Sequence, residues 1–397
     1  MTNSFWRSNW LCLASLLVCI SPAPSWAATL MVSSTANSGV GTLRQVILNA
    51  APGDTIVFNL NYPTVIPVTG SELTINKSLT IVGPGPDDLW LDGMSSDTTI
   101  FNVLAGATVD ISQLGIRNSR GIRNAGVLTL SYVAFQDNLT GGAILNTAKL
   151  AVSDSIFQGN RSPASNANGG AIYNVNNAVI DRCTFVDNQS KNGGAIANNG
   201  NMAVNASTFS GNQSSDTFGG AGGAIRNNGV LTLTNSTLSG NSANGSGGAI
   251  HNHTIAVLTI AGSTIIDNTA ATSTASNAIF RYGAVSISRS IIAGSCGGGA
   301  LASTGDNLGT DGTCVPNSAP LNDGNHSNLT LDPLAQNGGP TQTRLLPIGS
   351  PAIDAVLVNT ADCTGTDQRG VPRPNGNFCD IGAVEMELDS VFVDGFE

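Results

Sequence analysis

Charged and aromatic side chains are scarce in this sequence. Of its 397 residues, 11% are charged and 5% are aromatic, and the only lysines are Lys77, Lys149 and Lys191. The formal net charge is −10 and clusters of Lys and Arg are missing, which argues against nucleic-acid binding because such clusters neutralise phosphates. A disordered chain would carry more charge and fewer β-branched residues. The many Val, Ile, Leu and Thr residues therefore predict a folded core.

Long apolar runs are missing after the N-terminus, so we expect no membrane span in the mature chain. At the N-terminus, Arg7 precedes an apolar stretch over residues 10–20, and the small residues Ser25 and Ala27 suit cleavage after Ala27. Residues 1–27 are therefore predicted to be an export signal peptide, with an uncleaved anchor as the alternative.

Cysteine is rare, with seven in the chain, and Cys12 and Cys19 fall within the predicted signal peptide. Disulfides form readily in exported proteins. Two local disulfides are predicted, Cys296–Cys314 and Cys363–Cys379. Cys183 remains, and we expect it to be a packed free thiol rather than a catalytic one.

Glycine is abundant, at 47 residues, and much of it lies in a repeat. The motif GGAIxN occurs five times, at 141–146, 169–174, 193–198, 222–227 and 247–252. Segments of eleven residues alternate with it, for example LTLTNSTLSGN at 231–241, and their starts are 22 to 29 residues apart. A period in the twenties is typical of solenoids, and the LxxLxL frame of leucine-rich repeats is absent.

Side-chain alternation within these segments has a period of two, which indicates strands rather than helices. The first and third residues are apolar and share one face, and stacked coils would align equivalent residues about 4.8 Å apart. The sixth position forms a column of small residues at an inward or corner site: Val133, Ser155, Cys183, Ser207, Ser236, Ser263 and Ser290. The sequence therefore predicts an all-β, right-handed parallel β-helix, with a short N-terminal helical cap and a loop-rich, disulfide-braced C-terminal region.

Asparagine would form two ladders in such a helix. One ends the eleven-residue segments, at Asn138, Asn160, Asn188, Asn212, Asn241 and Asn268. The other closes the GGAIxN motifs, at Asn146, Asn174, Asn198, Asn227 and Asn252. Asn tolerates left-handed turns, and stacked amides can hydrogen-bond from coil to coil. Both motifs are therefore explained by the scaffold, without a catalytic role.

The GGAI and FxxN motifs over residues 120–295 resemble the polymorphic outer-membrane protein repeat. The resemblance implies a β-helix displayed at a bacterial surface, with adhesion as the expected role. We expect no C-terminal β-barrel translocator of the kind that this family carries.

Two flanking regions resemble another group of exported β-helix proteins. The stretch GTLRQVILNAAPGDTIVF at 41–58 resembles the CSLREA-type motif without its leading Cys. Thr42 is expected to N-cap a short helix that covers the open end of the core with Leu43, Val46 and Ile47.

The C-terminal segments at 328–355, 363–374 and 379–385 resemble the choice-of-anchor Q region. Members of that group end in sorting tails, whereas this chain ends in FVDGFE, for which a sorting role is a hypothesis. The sequence thus divides into a signal peptide (1–27), an N-terminal cap and first strand (28–72), β-helix repeats (73–295), a choice-of-anchor Q-like region (296–386) and a tail (387–397).

Charged residues do not form a dense constellation on the predicted columns. The members of one column, Asp137, Asp187 and Asp267, lie in non-adjacent coils. Asp154 and Asp181 lie in adjacent coils, but at successive strand positions, and are expected on opposite faces. Arg182 and Arg289 share a column four coils apart.

Three further groups are weaker candidates. His251 and His253 could meet one metal ion from one strand face, although ordinary turn or surface histidines are the simpler interpretation. Asp306 and Asp311 lie in a loop that lacks a calcium-binding frame. The last group is expected to form ion pairs that brace the 363–379 loop: Asp367, Arg369 and Asp380.

The sequence favours an exported scaffold with an adhesion or binding role over an enzyme. The expected location is the extracellular space or the outer-membrane surface of a Gram-negative bacterium. The expected partners are extracellular carbohydrate or a surface protein of a host or neighbouring cell, bound by a monomer without metal or cofactor. The alternative is a polysaccharide lyase or glycoside hydrolase, which an exposed groove with three or more converging charged side chains would favour.

Overall fold

The computed structural model describes residues 27–139, 141–163, 168–215, 220–271, 276–299, 301–315, 322–356, 363–376 and 378–387. The predicted signal peptide, except for Ala27, and the predicted tail beyond Glu387 lie outside the described residues. Within the ranges described, no helix is long and apolar enough to cross a membrane.

One short helix, α1, spans Leu43–Asn49 and lies against the first strands. Thr42 is its N-cap, because the Thr42 hydroxyl accepts a hydrogen bond from the Gln45 N–H at 3.3 Å. Leu43 and Ile47 are buried, so the helix covers apolar core at the first coil, and the predicted helical cap is confirmed.

The strands are, in chain order, β1 Thr29–Val32, β2 Thr55–Phe58, β3 Thr64–Pro67, β4 Leu73–Ile75, β5 Leu79–Val82, β6 Leu89–Asp92, β7 Phe101–Val103, β8 Thr108–Arg117, β9 Ile122–Asn124, β10 Val127–Gln136, β11 Ile144–Asn146, β12 Lys149–Ser153, β13 Ile156–Gln158, β14 Arg161–Ser162, β15 Ile172–Asn174, β16 Asn177–Asp181, β17 Thr184–Val186, β18 Gln189–Ser190, β19 Ile196–Asn198, β20 Asn201–Asn205, β21 Thr208–Ser210, β22 Gln213–Ser214, β23 Ile225–Asn227, β24 Val230–Thr234, β25 Thr237–Ser239, β26 Ser242–Ala243, β27 Ile250–Asn252, β28 Val257–Ala261, β29 Thr264–Ile266, β30 Thr269–Ala270, β31 Ile279–Arg281, β32 Ala284–Ser288, β33 Ile291–Ile292, β34 Cys296–Gly297, β35 Ala302–Ser303, β36 Leu308–Gly309 and β37 Gly324–Asn325.

These strands pair in parallel with their equivalents in the coils above and below, and they form three sheets. Sheet 1 contains the eleven-residue segments, sheet 2 contains the GGAIxN strands from β4 to β34, and sheet 3 contains the two-residue strands β14, β18, β22, β26 and β30. The predicted parallel β-helix is confirmed, with about ten turns.

Sheet 1 bends within each coil, so that each eleven-residue segment has a first arm and a second arm. The fifth residue of the segment occupies the bend in a left-handed conformation, with φ between 44° and 57° for the non-glycine members. We call this set the corner column: Gln113, Tyr132, Asp154, Arg182, Ala206, Asn235, Gly262 and Arg289.

The small residues of the sixth position follow the bend and bond to one another. The Ser236 hydroxyl accepts from the backbone N–H of Ser207 at 3.1 Å and donates to the carbonyl of Thr234. Cys183 replaces one serine in this column and is fully buried. Burial raises the pKa of its thiol to about 12, so the thiol stays protonated and is a poor nucleophile.

The asparagines of both ladders are buried and bonded along the helix axis. The Asn188 amide donates to the Phe157 carbonyl and to the Asn212 side-chain oxygen, both at 2.9 Å. Its own oxygen accepts from the backbone N–H and the side-chain amide of Asn160. Each ladder therefore satisfies polar groups that no solvent reaches.

The glycine pairs of the GGAIxN motif mark the corner between sheet 3 and sheet 2, where neighbouring coils touch. Gly193 has a φ of +64°, and a Cβ atom there would lie 1.9 Å from the carbonyl oxygen of Ile196. A Cβ atom on Gly194 would lie 2.1 Å from the carbonyl oxygen of Gly223. The motif therefore excludes side chains at both positions.

The C-terminal residues 329–356, 363–376 and 378–387 fold back onto the second arm of sheet 1, and we call them the C-terminal cover. They lie over the outward-facing hydroxyls of Thr208, Thr237 and Thr264, which continue a column that begins at Thr184. The Gln368 side chain, 1% exposed, donates to the Thr208 hydroxyl at 2.8 Å and accepts from that of Thr237 at 2.6 Å. The Ala383 N–H donates to the Thr264 hydroxyl at 3.0 Å.

Both predicted disulfides are present in the C-terminal region, Cys296–Cys314 and Cys363–Cys379. The second lies in a small apolar core that the cover shares with the last coils, through Ile291 and Leu308. The cover is therefore attached by apolar packing at the C-terminal end of the solenoid and by hydrogen bonds over the middle coils.

Replacing Asn188 by Ala should lower the free energy of unfolding by about 3 kcal/mol, because buried partners in the coils on both sides, Phe157, Asn160 and Asn212, lose their bonds. Asn176→Ala is the matched control, since Asn176 is exposed in the same coil, and it should change stability by less than about 0.5 kcal/mol. Urea unfolding of both variants measures this. Equal losses would contradict a structural role of the ladder.

Candidate functional site

An open groove runs across several coils on the second arm of sheet 1, just before the C-terminal cover begins. Its volume is about 830 Å³, within the usual range for ligand sites. One wall is the corner column at Tyr132, Asp154 and Arg182, and the end wall belongs to the cover. The lining residues are Pro86, Asp87, Trp90, Tyr132, Val133, Ala134, Gln136, Asp154, Ser155, Ile156, Gln158, Arg182, Thr184, Val186, Gln336, Pro340 and Gln342.

Two aromatic side chains line the groove. Trp90 lies across the next coil, where a Cβ atom on Gly115 would be 2.4 Å from its ring. Glycine at this position therefore makes room for the indole, which also carries the Arg117 guanidinium 5.2 Å from its centre. Tyr132 occupies the bend and is 57% exposed. Both residues were missed in the sequence, although an aromatic residue at a bend otherwise held by polar and small residues is a usable signal.

A charged cluster forms the wall beside Tyr132. The Arg182 guanidinium holds both oxygens of Asp154, at 2.7 Å each, and its Nη1 also binds Asp181. The other Asp181 oxygen accepts from the Asn205 amide at 2.7 Å. The bidentate pair joins two successive coils on the outside of the solenoid.

The expectation that Asp154 and Asp181 lie on opposite faces is wrong, because both bind Arg182. Side chains alternate only along an extended strand. Asp181 is the last residue of β16, whereas Asp154 occupies the left-handed bend, with a φ of 48°. The bend breaks the alternation and brings the two carboxylates to one cation.

The ion pair also sets the protonation states of the groove. The hydrogen bond from Arg182 lowers the pKa of Asp154, and the bond to Asp154 raises the pKa of Arg182. Asp154 therefore stays ionised and Arg182 stays protonated near neutral pH. Proton transfer needs a group with a pKa near the working pH, which neither provides.

Amide side chains occupy the floor of the groove. Gln136 and Gln158 are in register on neighbouring coils, and Gln158 is exposed. In the part of the chain that the structure describes, neither side-chain amide has a hydrogen-bond partner. Each amide offers donors and an acceptor, so the floor can bind hydroxyl groups of either polarity.

The other charged columns do not join this cluster. Asp137, Asp187 and Asp267 occupy the second left-handed corner of their coils, with φ of 50°, 55° and 59°. Asp267 forms an ion pair with Arg344 of the cover. Arg289 shares the corner column with Arg182, but its backbone carbonyl accepts from the cover at Gly382.

Of the two candidate histidines, His253 is partly exposed and donates its backbone N–H to the Asn227 carbonyl at 2.9 Å. His251 is 7% exposed, stacks on Phe280 with ring centres 5.4 Å apart, and lies 2.8 Å from the Ser246 hydroxyl through Nδ1. Burial, with the charge of Arg226, lowers its pKa to about 4. Among the residues that the structure describes, no three His, Cys, Asp or Glu side chains are grouped to hold a metal ion.

The aspartates of the 305–314 loop accept hydrogen bonds from the backbone and side chains around them. Asp306 occupies a left-handed turn and accepts from the Asn322 amide at 2.8 Å. Asp311 accepts from the backbone N–H and the hydroxyl of Thr313 at 3.0 and 2.7 Å. The two carboxylates therefore have separate partners.

Within the cover, Asp367 and Arg369 form an ion pair at 2.9 Å, but Asp380 does not join them. Its oxygens accept from the backbone N–H groups of Asp354 and Met386. The most buried pair is Arg373 with Glu385, also at 2.9 Å, which the sequence analysis missed. Burial raises the pKa of Asp380 to about 6.

Comparison with known proteins supports the repeat. The Chlamydia polymorphic membrane protein repeat matches residues 154–175, 182–199 and 235–253. The chain is similar to a solved structure of pectate lyase Pel9A, with 14% identity and a TM-score of 0.46 over 91% of this chain and 97% of that one. It is also similar to ORF18 of Geobacillus virus E2, with 13% identity and a TM-score of 0.34 over 70% and 60%. A comparison with curated proteins found no match.

The raised pKa of Asp380 predicts a pH dependence of stability. Between about pH 4 and 6 the native protein still holds a proton that the unfolded chain has released, so this group lowers the free energy of unfolding as the pH rises, by at most about 3 kcal/mol. Asp380→Asn should remove this part of the pH dependence. Urea unfolding across the range measures it, with the exposed Asp332→Asn as control. An unchanged slope in Asp380→Asn would contradict the assignment.

Proposed function

We propose that this protein is a surface-exposed β-helical scaffold that binds a carbohydrate chain in the groove beside Tyr132, and that it mediates adhesion in this way. The match to the Chlamydia polymorphic membrane protein repeat supports a surface-exposed β-helix. The groove itself is the observation that carries the carbohydrate assignment.

The chemistry of the lining favours a sugar chain over a compact apolar ligand. Sugar rings have apolar C–H faces and hydroxyl rims. Trp90 and Tyr132 offer aromatic area to the faces, and Gln136 and Gln158 offer amides to the rims. The groove crosses successive coils and is open to solvent, which suits a polymer.

A polysaccharide-degrading enzyme on the same fold is the second candidate. Three converging charged side chains, Asp154, Asp181 and Arg182, are the arrangement that would favour it. Glycoside hydrolysis needs a carboxylic acid that stays protonated near neutral pH, whereas the pKa of Asp154 is lowered. Binding therefore ranks first. Release of reducing ends or unsaturated sugars from pectin, alginate or glycosaminoglycan by the purified protein would reverse the order.

Export belongs to the proposal as well. Residues 1–27 would direct the chain out of the cytoplasm, and the tail from Glu387 would serve in sorting. The resemblances to the CSLREA-type and choice-of-anchor Q regions fit this location. N-terminal sequencing of the protein from the producing cells should give Ala28 as the first residue. A chain that starts at Met1 would contradict cleavage.

Tyr132→Ala should weaken carbohydrate binding by about tenfold, because an exposed aromatic side chain is lost from the groove wall. The substitution suits the backbone, since Ala206 occupies the same left-handed bend in another coil. A glycan array identifies the bound sugars, and calorimetry with the best binder gives the affinities.

Tyr282→Ala is the matched control. Tyr282 is 61% exposed and follows a strand of sheet 2, away from the groove. Its loss should leave the affinity unchanged. Equal weakening by both substitutions, or a wild-type protein that binds no glycan, would rule out the groove as a carbohydrate site.

A further inference from the structure

The groove has an uneven balance of charge. Arg182 is the cationic side chain of its lining, and the carboxylates of Asp154 and Asp181 both bind it. Asp87, in the loop between β5 and β6, adds an exposed carboxylate to the lining. Three negative charges therefore accompany one positive charge, and the positive charge is already matched.

Resting on the proposed function, we propose that the groove selects glycans that carry protonated amino groups and rejects glycans that carry carboxylates. A protonated amine can approach the free lone pairs of Asp154, whose side chain is 15% exposed, without breaking its bonds to Arg182. The protonated amine is also attracted to the exposed ring of Tyr132 beside Asp154, since aromatic faces attract cations.

A uronate would meet the opposite situation. Its carboxylate needs a cation, and Arg182 offers only the donors that Asp154 and Asp181 leave unused. If the uronate bound the Arg182 guanidinium, the carboxylates of Asp154 and Asp181 would lose their partner. They would also lie close to the carboxylate of the sugar. Like charges at such distances repel, so the anionic sugar is the least favoured of the three charge classes. Neutral sugars fall between the two.

The test uses three oligosaccharides of equal length, made of glucosamine, N-acetylglucosamine and galacturonate. Calorimetry is done with the wild-type protein at a pH at which the amines are protonated. The glucosamine oligomer should bind at least about fivefold more tightly than the N-acetylated one, and galacturonate most weakly. The preference should shrink as salt is added. Galacturonate binding as tightly as glucosamine would overturn the inference while leaving the proposed function intact.

Variants separate the local charge from the overall charge. Asp154→Asn removes one carboxylate at a bend where Asn is well tolerated, and Asp181→Asn does the same on the neighbouring strand. Each should lower the affinity for the glucosamine oligomer by about fivefold and raise that for galacturonate. Asp110→Asn, exposed on the first arm of sheet 1, makes the same change in net charge outside the groove.

The control should keep the wild-type order of affinities. If Asp110→Asn shifts the order as much as the groove variants do, the selection comes from net charge and the inference fails. If none of the three oligosaccharides nor any other glycan binds, the proposed function fails first. Unchanged thermal unfolding of each variant shows that a lost affinity does not come from misfolding.

Discussion

The structure depends on one constraint, which is that each coil must place every inward side chain on its equivalent about 4.8 Å away. Apolar columns meet it readily, as in the stack of Phe135, Phe157, Phe185 and Phe209 with ring centres 4.5 to 4.8 Å apart. Polar columns meet it only if each side chain both donates and accepts along the axis. Asparagine does so at two corners and serine at the third, and this explains why a chain with few charges can bury so many polar groups.

The same constraint separates scaffold from function. Buried columns repeat nearly unchanged, whereas the corner column changes from Tyr132 to Asp154 to Arg182 in three successive coils. Its side chains point out of the solenoid, so they can vary without disturbing the stack. The left-handed backbone at this bend is nevertheless the same in each coil, so different side chains are held in equivalent positions. Tyr132 of the groove wall and Asp154 and Arg182 of the charged cluster all occupy this bend.

Much of the fold could be predicted because the same pattern recurs in each coil. Alternation with a period of two predicts the strands, and the spacing of the GGAIxN motifs predicts the length of each coil. The groove could not be predicted, for two reasons. Alternation fails at a left-handed residue, so the contact of Asp154 and Asp181 with Arg182 was missed. The cover is joined by contacts such as Gln368 with Thr208, 160 residues apart, and such contacts leave no period in the sequence.

The cover also fixes the number of coils. In an open solenoid each repeat contacts only its neighbours, so repeats can be gained or lost during evolution. Here Gln368 meets Thr208 and Thr237, and Ala383 meets Thr264, each at its own height along the axis. Deleting or duplicating one middle coil would move these partners apart by a full strand spacing. The C-terminal region thus matches a solenoid of one length. We therefore expect related chains to differ in their number of coils only before the coil of Thr208.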